Sequence, residues 1–99
     1  MYYAILCEDV ENSAPLRKSA RPAHLARLQE LANAGKLLAA GPHPAVDAEE
    51  PGDAGVTGSL IIAEFDSLEA ATTWADCDPY VDAGVFSKIT VKPYKLVLP

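Results

Sequence analysis

Hydrophobic positions along the chain form four compact runs that predict β-strands. The runs are rich in branched and aromatic side chains, which is typical of strands that pack against a core. The predicted strands are Tyr2 to Cys7, Leu37 to Ala40, Ser59 to Phe65 and Val85 to Leu98. Gly41-Pro42 closes the second run. Pro93 interrupts the last run, which indicates an edge strand or a bulge there.

Between the first two runs the apolar spacing changes to three and four, which predicts a helix within Pro15 to Ala34. The repeating apolar positions are Leu25, Leu28, Leu31 and Ala32. Gly35 follows them, as a helix-ending glycine does. Because proline costs about 3 kcal/mol inside a helix but little in its first turn, we expect a short leading turn around 16–20 and a main helix that starts near Pro22. One kinked helix is the alternative.

A second helix follows the third strand and ends at a proline. Asp66 is the predicted N-cap, with Glu69 completing a capping box. The predicted buried positions are Leu68, Ala71, Trp74 and Ala75. A residue that precedes proline is disfavoured in the α region, so the helix should end at Asp78, before Pro79. The sequence therefore places a carboxylate at a fixed break between two elements.

The order βαββαβ predicts an α+β, ferredoxin-like fold with two helices on one face of a four-stranded antiparallel sheet. With 99 residues, the chain is expected to form one domain, residues 1–99. The segment His43 to Gly58 is predicted to be a long loop or an extended hairpin connection. Helices leave one apolar sheet face uncovered, which predicts that a second subunit covers it in a homodimer.

Charge and composition exclude several kinds of partner. The formal net charge is −6, whereas a nucleic-acid-binding protein needs a basic face. Five of the eight basic residues lie in one largely helical stretch: Arg17, Lys18, Arg21, Arg27 and Lys36. No apolar stretch is long enough for a membrane helix, and the first twenty residues lack the pattern of a signal peptide. We therefore expect a cytoplasmic protein in which Cys7 and Cys77 are reduced thiols.

His24 and Asp78 are the candidate catalytic residues. In an unbroken helix Arg17, Arg21 and His24 share one stripe, although a break at Pro22 would displace the arginines. Histidine suits proton transfer near neutral pH, and guanidinium groups attract an anionic substrate. The alternative is a boundary histidine bonded to a backbone carbonyl. Asp78 either caps a turn or accepts a hydrogen bond from one imidazole nitrogen and so orients the ring.

Other residues could help to bind a ligand. Ser59 could donate a hydrogen bond to a substrate oxygen, and Gly41 and Gly58 would let backbone N–H groups approach a ligand closely. We expect His43 to be an exposed loop histidine. Neither histidine has a partner at metal-ligand spacing, so no metal is expected. Because no phosphate loop or dinucleotide fingerprint is present, we expect no cofactor.

Short motifs along nearly the whole chain carry a family resemblance. They are Tyr3-Ala-Ile-Leu, Arg21-Pro-Ala-His24-Leu25, Leu38-Ala-Ala-Gly41-Pro42, Gly58-Ser59, Trp74, Asp78-Pro79-Tyr80 and Ala83-Gly84. The sequence resembles the YCII-related (YciI-like) family, which is similar in fold to muconolactone isomerase and other dimeric α+β barrel proteins. The resemblance implies a ferredoxin-like fold, a homodimer and an active site centred on His24 and Asp78. It also adds Tyr80 to the expected substrate-binding residues, which are Arg17, Arg21, Gly41, Ser59 and Tyr80.

Three functions fit these features. The first is a cofactor-independent enzyme, of isomerase or lyase type, that uses the His–Asp pair for proton transfer on a small, anionic, oxygenated molecule. The second is a non-catalytic dimeric module that binds a small ligand. The third is an interaction domain with a vestigial cleft. Contact between His24 and Asp78 inside a pocket favours the enzyme, whereas a wide apolar pocket without that contact favours the binding module.

Overall fold

The computed structural model describes all 99 residues and contains four strands and three helices. The strands are β1 (Tyr2–Asp9), β2 (Leu37–Pro44), β3 (Val56–Glu64) and β4 (Phe86–Tyr94). The helices are α1 (Ala14–Asn33), α2 (Leu68–Asp76) and the short α3 (Pro79–Asp82), and a single 3-10 turn spans Gly52–Ala54. None of the helices combines the length and hydrophobicity needed to cross a membrane.

The strands form one sheet in the order β2-β3-β1-β4, and every neighbouring pair is antiparallel. The central strands β1 and β3 come from different halves of the chain, and Ile5 lies opposite Ile61. This topology confirms the predicted ferredoxin-like α+β fold. It also brings the end of β1, the start of β3 and the first helix together.

Helix α1 runs unbroken through Pro22, so the predicted start near Pro22 is wrong and the alternative of one helix is correct in its extent. Two features explain the difference. Pro22 lies on the exposed side of the helix. Arg17, one turn earlier, is held by hydrogen bonds to Asp9 and Ser59. Tertiary contacts therefore stabilise the leading turns, which propensity alone would disfavour.

Sheet pairing also changes the limits of the predicted strands. β2 continues through Gly41 and Pro42, although these residues were expected to end it. Because β2 is an edge strand, proline's missing N–H costs no ladder hydrogen bond on its outer side. β3 begins at Val56, so the connection before it is an extended hairpin. The last strand is shorter than predicted, and it places Pro93 on the other sheet edge, as expected.

The N-cap of α2 differs from the prediction, whereas the chain leaves the helical conformation before Pro79 as predicted. Ser67, not Asp66, is the N-cap, and its hydroxyl accepts a hydrogen bond from the Ala70 N–H at 3.0 Å. The helix ends at Asp76, and Asp78 is extended with φ −62° and ψ 134°. This is the geometry that the following proline favours.

Strand alternation separates the two sheet faces. Tyr3, Ile5 and Cys7 of β1 are buried beneath the helices, whereas Tyr2, Ala4 and Leu6 point to the other face. The buried hydrophobic cluster consists of Ile5, Cys7, Ile61, Ala63 and Ala75. The candidate site residues His24, Ser59 and Asp78 are buried polar residues at the edge of this apolar cluster.

Candidate active site

His24 and Asp78 meet inside the protein, as the sequence predicted. Imidazole Nδ1 lies 2.9 Å from each carboxylate oxygen of Asp78. His24 is only 6% exposed and Asp78 only 2%. His24 is the one fully buried residue of α1, a position that an amphipathic helix normally gives to an apolar side chain. The histidine therefore pairs with a carboxylate rather than with a backbone carbonyl.

The chain break at Pro79 holds Asp78 in place. Asp78 is the N-cap of α3, and its Oδ1 accepts a hydrogen bond from the Tyr80 N–H at 2.9 Å. The same carboxylate thus caps a helix and faces an imidazole, so both readings of Asp78 made from the sequence apply together. With Nδ1 occupied, Nε2 is the ring nitrogen left for proton exchange.

Tyr80 packs flat against the imidazole. The centroids of the two rings are 3.9 Å apart, and the ring planes are 11° from parallel. The guanidinium carbon of Arg17 lies 5.0 Å from the centroid of the Tyr80 ring. Burial raises the pKa of Tyr80, against the opposite influence of Arg17 and Arg21. Tyr80 therefore remains a neutral phenol at physiological pH and fixes the plane of His24.

Arg17 is held by a buried carboxylate that the sequence analysis did not single out. Its Nε donates to Asp9 Oδ2 at 2.7 Å, and its Nη2 donates to Asp9 Oδ1 and to Ser59 Oγ, each at 2.9 Å. Burial alone would lower the pKa of Arg17, but the hydrogen bond and charge of Asp9 outweigh it and raise that pKa above its usual value. Arg17 and Ser59 therefore form one connected group.

These side chains border a cavity of about 650 Å³ between α1, β2, β3 and the connection that precedes β3. All the predicted site residues except Asp78 line it: Arg17, Arg21, His24, Gly41, Ser59 and Tyr80. Asp78 lies behind His24, away from the cavity. The predicted stripe of Arg17, Arg21 and His24 is thus present because α1 is unbroken. The catalytic and binding roles of these residues stay predictions.

The two glycines differ in their surroundings. A Cβ at Gly41 would meet no neighbouring atom of the chain, and Gly41 lines the cavity, so the approach of a ligand to its backbone stays a prediction. A Cβ at Gly58 would overlap the carbonyl oxygen of Cys7 on the adjacent strand. Gly58 therefore permits close packing of β3 against β1.

Arg27 is a second residue that the sequence analysis did not assign to the site. Its guanidinium stacks on Trp74 at 4.3 Å, and its Nη2 donates to the Trp74 carbonyl at 2.7 Å. Nη1 is buried without a hydrogen bond and lies 4.0 Å from Asp78 Oδ2. The signal was present in the sequence, since Arg27 follows His24 by three residues on the same helix face. Arg27 places positive charge beside the carboxylate.

The remaining candidates lie outside this cavity. His43, on edge strand β2, is exposed, and no three His, Cys, Asp or Glu side chains gather as metal ligands. Cys7 lies beneath the site, where burial, and next the charge of Asp78, raises its pKa to about 12. The chemistry available in the cavity is thus proton transfer by an imidazole beside hydroxyl and guanidinium donors.

Comparison with known proteins gives close relatives. The family model for the YCII-related domain matches residues 1–95. Protein YciI of Escherichia coli O6:H1 is 60% identical over 97 residues, which cover 98% of this chain and 99% of the relative. A protein of Haemophilus influenzae is 50% identical over the same shares of both chains.

One solved structure is similar over almost its full length. It is 5-chloro-2-hydroxyhydroquinone dehydrochlorinase (TftG) from Burkholderia phenoliruptrix AC1100, in complex with 2,5-dihydroxybenzoquinone. The TM-score is 0.82 and the sequence identity 29%, over 96% of this chain and 94% of TftG.

Proposed function

The chain belongs to the YCII-related domain family, and from that premise we propose that it is a small-molecule-processing enzyme that works without a cofactor. Its reaction is general acid–base proton transfer, of isomerase or lyase type, on a small, anionic, oxygenated molecule. The observation that carries the proposal is the buried pair formed by His24 and Asp78 at 2.9 Å, on the wall of a cavity.

In this proposal His24 removes or returns a proton through Nε2. Asp78 accepts a hydrogen bond from the Nδ1–H group, fixes the tautomer and stabilises the imidazolium that forms. Tyr80, stacked on the ring, limits its rotation. A histidine needed only for packing would not require a buried carboxylate, because burial of an ionised group is costly unless it is paired.

Proton removal next to a carbonyl leaves negative charge on an oxygen, which needs hydrogen-bond donors. Ser59 and Arg17 supply them on the same cavity wall as His24. Arg21 is exposed at the cavity and carries no salt bridge, so it supplies net positive charge for an anionic group of the substrate. Donors that are already aligned stabilise developing charge without reorganisation.

The similarity to TftG supports this reaction class. A dehydrochlorinase removes a proton and a chloride ion from its substrate, so it needs a positioned base and stabilisation of negative charge. The TftG complex contains 2,5-dihydroxybenzoquinone, a small oxygenated ring that readily becomes anionic. We therefore take hydroxylated quinones and hydroquinones as the first compounds to test.

The experiment starts with a thermal-shift screen of small hydroxyquinones, hydroxybenzoates and keto acids, since a ligand that binds the folded state raises Tm. Compounds that bind are then incubated in deuterated buffer and followed by NMR for deuterium incorporation. With 5-chloro-2-hydroxyhydroquinone, chloride release is measured. His24→Gln should lower the rate at least about 100-fold, and Asp78→Asn should lower it less.

The matched control is His43→Gln, because His43 is the other histidine and lies outside the cavity. It should retain the wild-type rate. Ligands that bind wild type and His24→Gln equally, with no exchange or elimination in either, would contradict the proposal and favour the binding module. By the criterion set from the sequence, the contact between His24 and Asp78 favours the enzyme.

We also propose that the protein acts as a homodimer that buries the open face of the sheet. The central strands present Tyr2, Ala4 and Leu6 of β1 and Leu60 and Ile62 of β3 on this face. No helix of the same chain covers them. An apolar patch at the centre of a sheet is typical of a subunit contact.

A further inference from the structure

Asp9 is a buried carboxylate that the proposed reaction does not use directly. Its side chain is only 1% exposed. Three hydrogen bonds satisfy it: from Ser13 Oγ at 2.6 Å, from Arg17 Nε at 2.7 Å and from Arg17 Nη2 at 2.9 Å. A buried charge with this many partners is held in one orientation, because any loss of contact leaves it unpaired.

Local backbone geometry places Asp9 at this point. Strand alternation turns it to the helix side, two positions after Cys7. The pairing of β1 with β4 shifts in register between Glu8 and Asp9, where β4 contributes an additional residue. Ser13 is the N-cap position of α1, so its bond to Asp9 ties the end of β1 to the start of the helix that carries Arg17.

The contacts of Asp9 decide which protons of Arg17 remain free. Asp9 accepts hydrogen bonds from the Nε–H group and from one N–H of Nη2, and Ser59 accepts a hydrogen bond from the other N–H of Nη2. Nη1 makes none of the hydrogen bonds to Asp9 or Ser59, and the Arg17 side chain is 14% exposed and lines the cavity. Ser59 accepts from Arg17, so its own hydroxyl proton is left to donate.

The Arg17–Asp9 pair differs from Arg21 in its net charge. The bidentate contact with Asp9 cancels the charge of Arg17, so the pair attracts an anion only weakly at long range. What remains is orientation, because Asp9 and Ser59 hold the guanidinium in place on a cavity that His24 also lines. Such donors favour an oxygen that gains charge during reaction over one that is already charged when the ligand binds.

We propose that Asp9 is a positioning residue: it fixes the Arg17 guanidinium so that Nη1 and the Ser59 hydroxyl converge on a substrate oxygen next to His24, either a carbonyl or a ring hydroxyl that gains negative charge. The inference rests on the proposed proton transfer, which it deepens by specifying the substrate as a molecule with such an oxygen at this point and an anionic or ionisable group towards Arg21. Ser13, which bonds Asp9 alone, is part of the same support.

The first test needs no substrate. In protein labelled with ¹⁵N-arginine, the Arg17 guanidinium of the wild type should rotate slowly about its Cζ–Nε bond and give separate Nη signals. Asp9→Asn should merge these signals, and Ser13→Ala should broaden them while leaving Arg17 paired. Glu11→Gln, which removes an exposed carboxylate from the same region, should leave them unchanged. Slow rotation that persists in Asp9→Asn would overturn the proposal.

The second test separates positioning from general damage. With 5-chloro-2-hydroxyhydroquinone, Asp9→Asn should lower kcat at least about tenfold and change KM less than about threefold, because the misaligned donors act mainly in the transition state. Asp9→Glu should restore part of kcat. If the NMR signals show that the Arg17 guanidinium rotates freely in Asp9→Asn while kcat and KM stay unchanged, the proposal would also be overturned. Absence of turnover by the wild type would count against the proposed function, and the NMR comparison would then decide alone whether Asp9 fixes Arg17.

Discussion

At the scale of single residues, the buried acidic and basic side chains around His24 have polar partners, whereas the buried Cys7 thiol lies among apolar residues. His24, Asp78 and Asp9 are each held by an oppositely charged or hydrogen-bonding side chain. Cys7 is buried among apolar residues, and the negative charge of Asp78 would repel a thiolate at this position. The first group is arranged for interaction, whereas Cys7 is kept protonated and unreactive.

The pKa of about 12 for Cys7 has a consequence for stability at high pH. The unfolded chain releases this proton near pH 9, whereas the folded chain keeps it. The raised pKa therefore makes the free energy of unfolding fall as pH rises from about 9 towards about 12. Between pH 8 and pH 10, the free energy of unfolding measured by urea titration should fall by about 1 kcal/mol more in the wild type than in Cys7→Ala.

Comparison with Cys7→Ala isolates the thiol, since Tyr80 and the lysines titrate in both proteins. The variant is expected to be less stable at every pH because it loses packing, so the slope with pH is the relevant quantity. Equal slopes in the two proteins would contradict the assignment of a raised pKa to Cys7.

The sequence revealed His24 and Asp78 but not Asp9, and the reason is physical. A histidine in an apolar stripe and an aspartate before proline each break a local pattern, and this makes them visible. Asp9 sits in a polar segment, Glu8 to Ala14, that resembles an ordinary loop. Only pairing between strands shows that β1 continues to Asp9 and turns its side chain inward. The alternation of Tyr3, Ile5 and Cys7, extended by one step, was the available signal.

At the scale of elements, periodicity predicted which helices and strands exist, whereas tertiary contacts set where they end. The apolar spacing in α1 was sufficient to predict a helix, but hydrogen bonds from Arg17 to Asp9 and Ser59 extend it before Pro22. In the same way, β2 passes through Pro42 because an edge strand tolerates proline. Such contacts join residues far apart in sequence and cannot be read from a local pattern.

Pro22 inside α1 predicts that the helix is less stable than it could be. Proline removes one backbone hydrogen bond and crowds the preceding turn, at a cost of about 3 kcal/mol in a regular helix. Because Pro22 is exposed, Pro22→Ala should lose no packing and should raise the free energy of unfolding by about 1–3 kcal/mol in urea titration. Pro15→Ala is the control and should change stability by less than about 0.5 kcal/mol, because Pro15 lies in the first turn. An equal effect of the two substitutions would show that Pro22 carries no such cost.

At the scale of the whole molecule, the sheet has one face covered by helices and one face without them. The cavity lies on the covered side, between α1 and the β2–β3 hairpin. Leu6 and Leu60 lie opposite each other at the centre of the open side. Catalysis and assembly are therefore expected to use different faces of the same sheet.

The proposed homodimer predicts the mass in solution. Sedimentation at micromolar concentration should give about twice the chain mass of 10.5 kDa. Leu60→Lys should shift the equilibrium towards monomer, because a charge at the centre of an apolar contact is costly to bury. Val46→Lys, which changes an exposed apolar residue in the β2–β3 connection, should remain dimeric. A wild type that sediments only as monomer would contradict the proposal.

The proposed function depends most on the orientation of the His24 imidazole by Asp78. The direct measurement is ¹⁵N NMR of the two histidine rings at pH 8.5, above the ordinary histidine pKa of about 6.5. His24 should carry its proton on Nδ1, facing Asp78, while exposed His43 averages between tautomers as free imidazole does. In Asp78→Ala, His24 should lose this preference and resemble His43. A His24 ring in the wild type that is protonated on Nε2 but not on Nδ1, or identical His24 signals in both proteins, would contradict the claim.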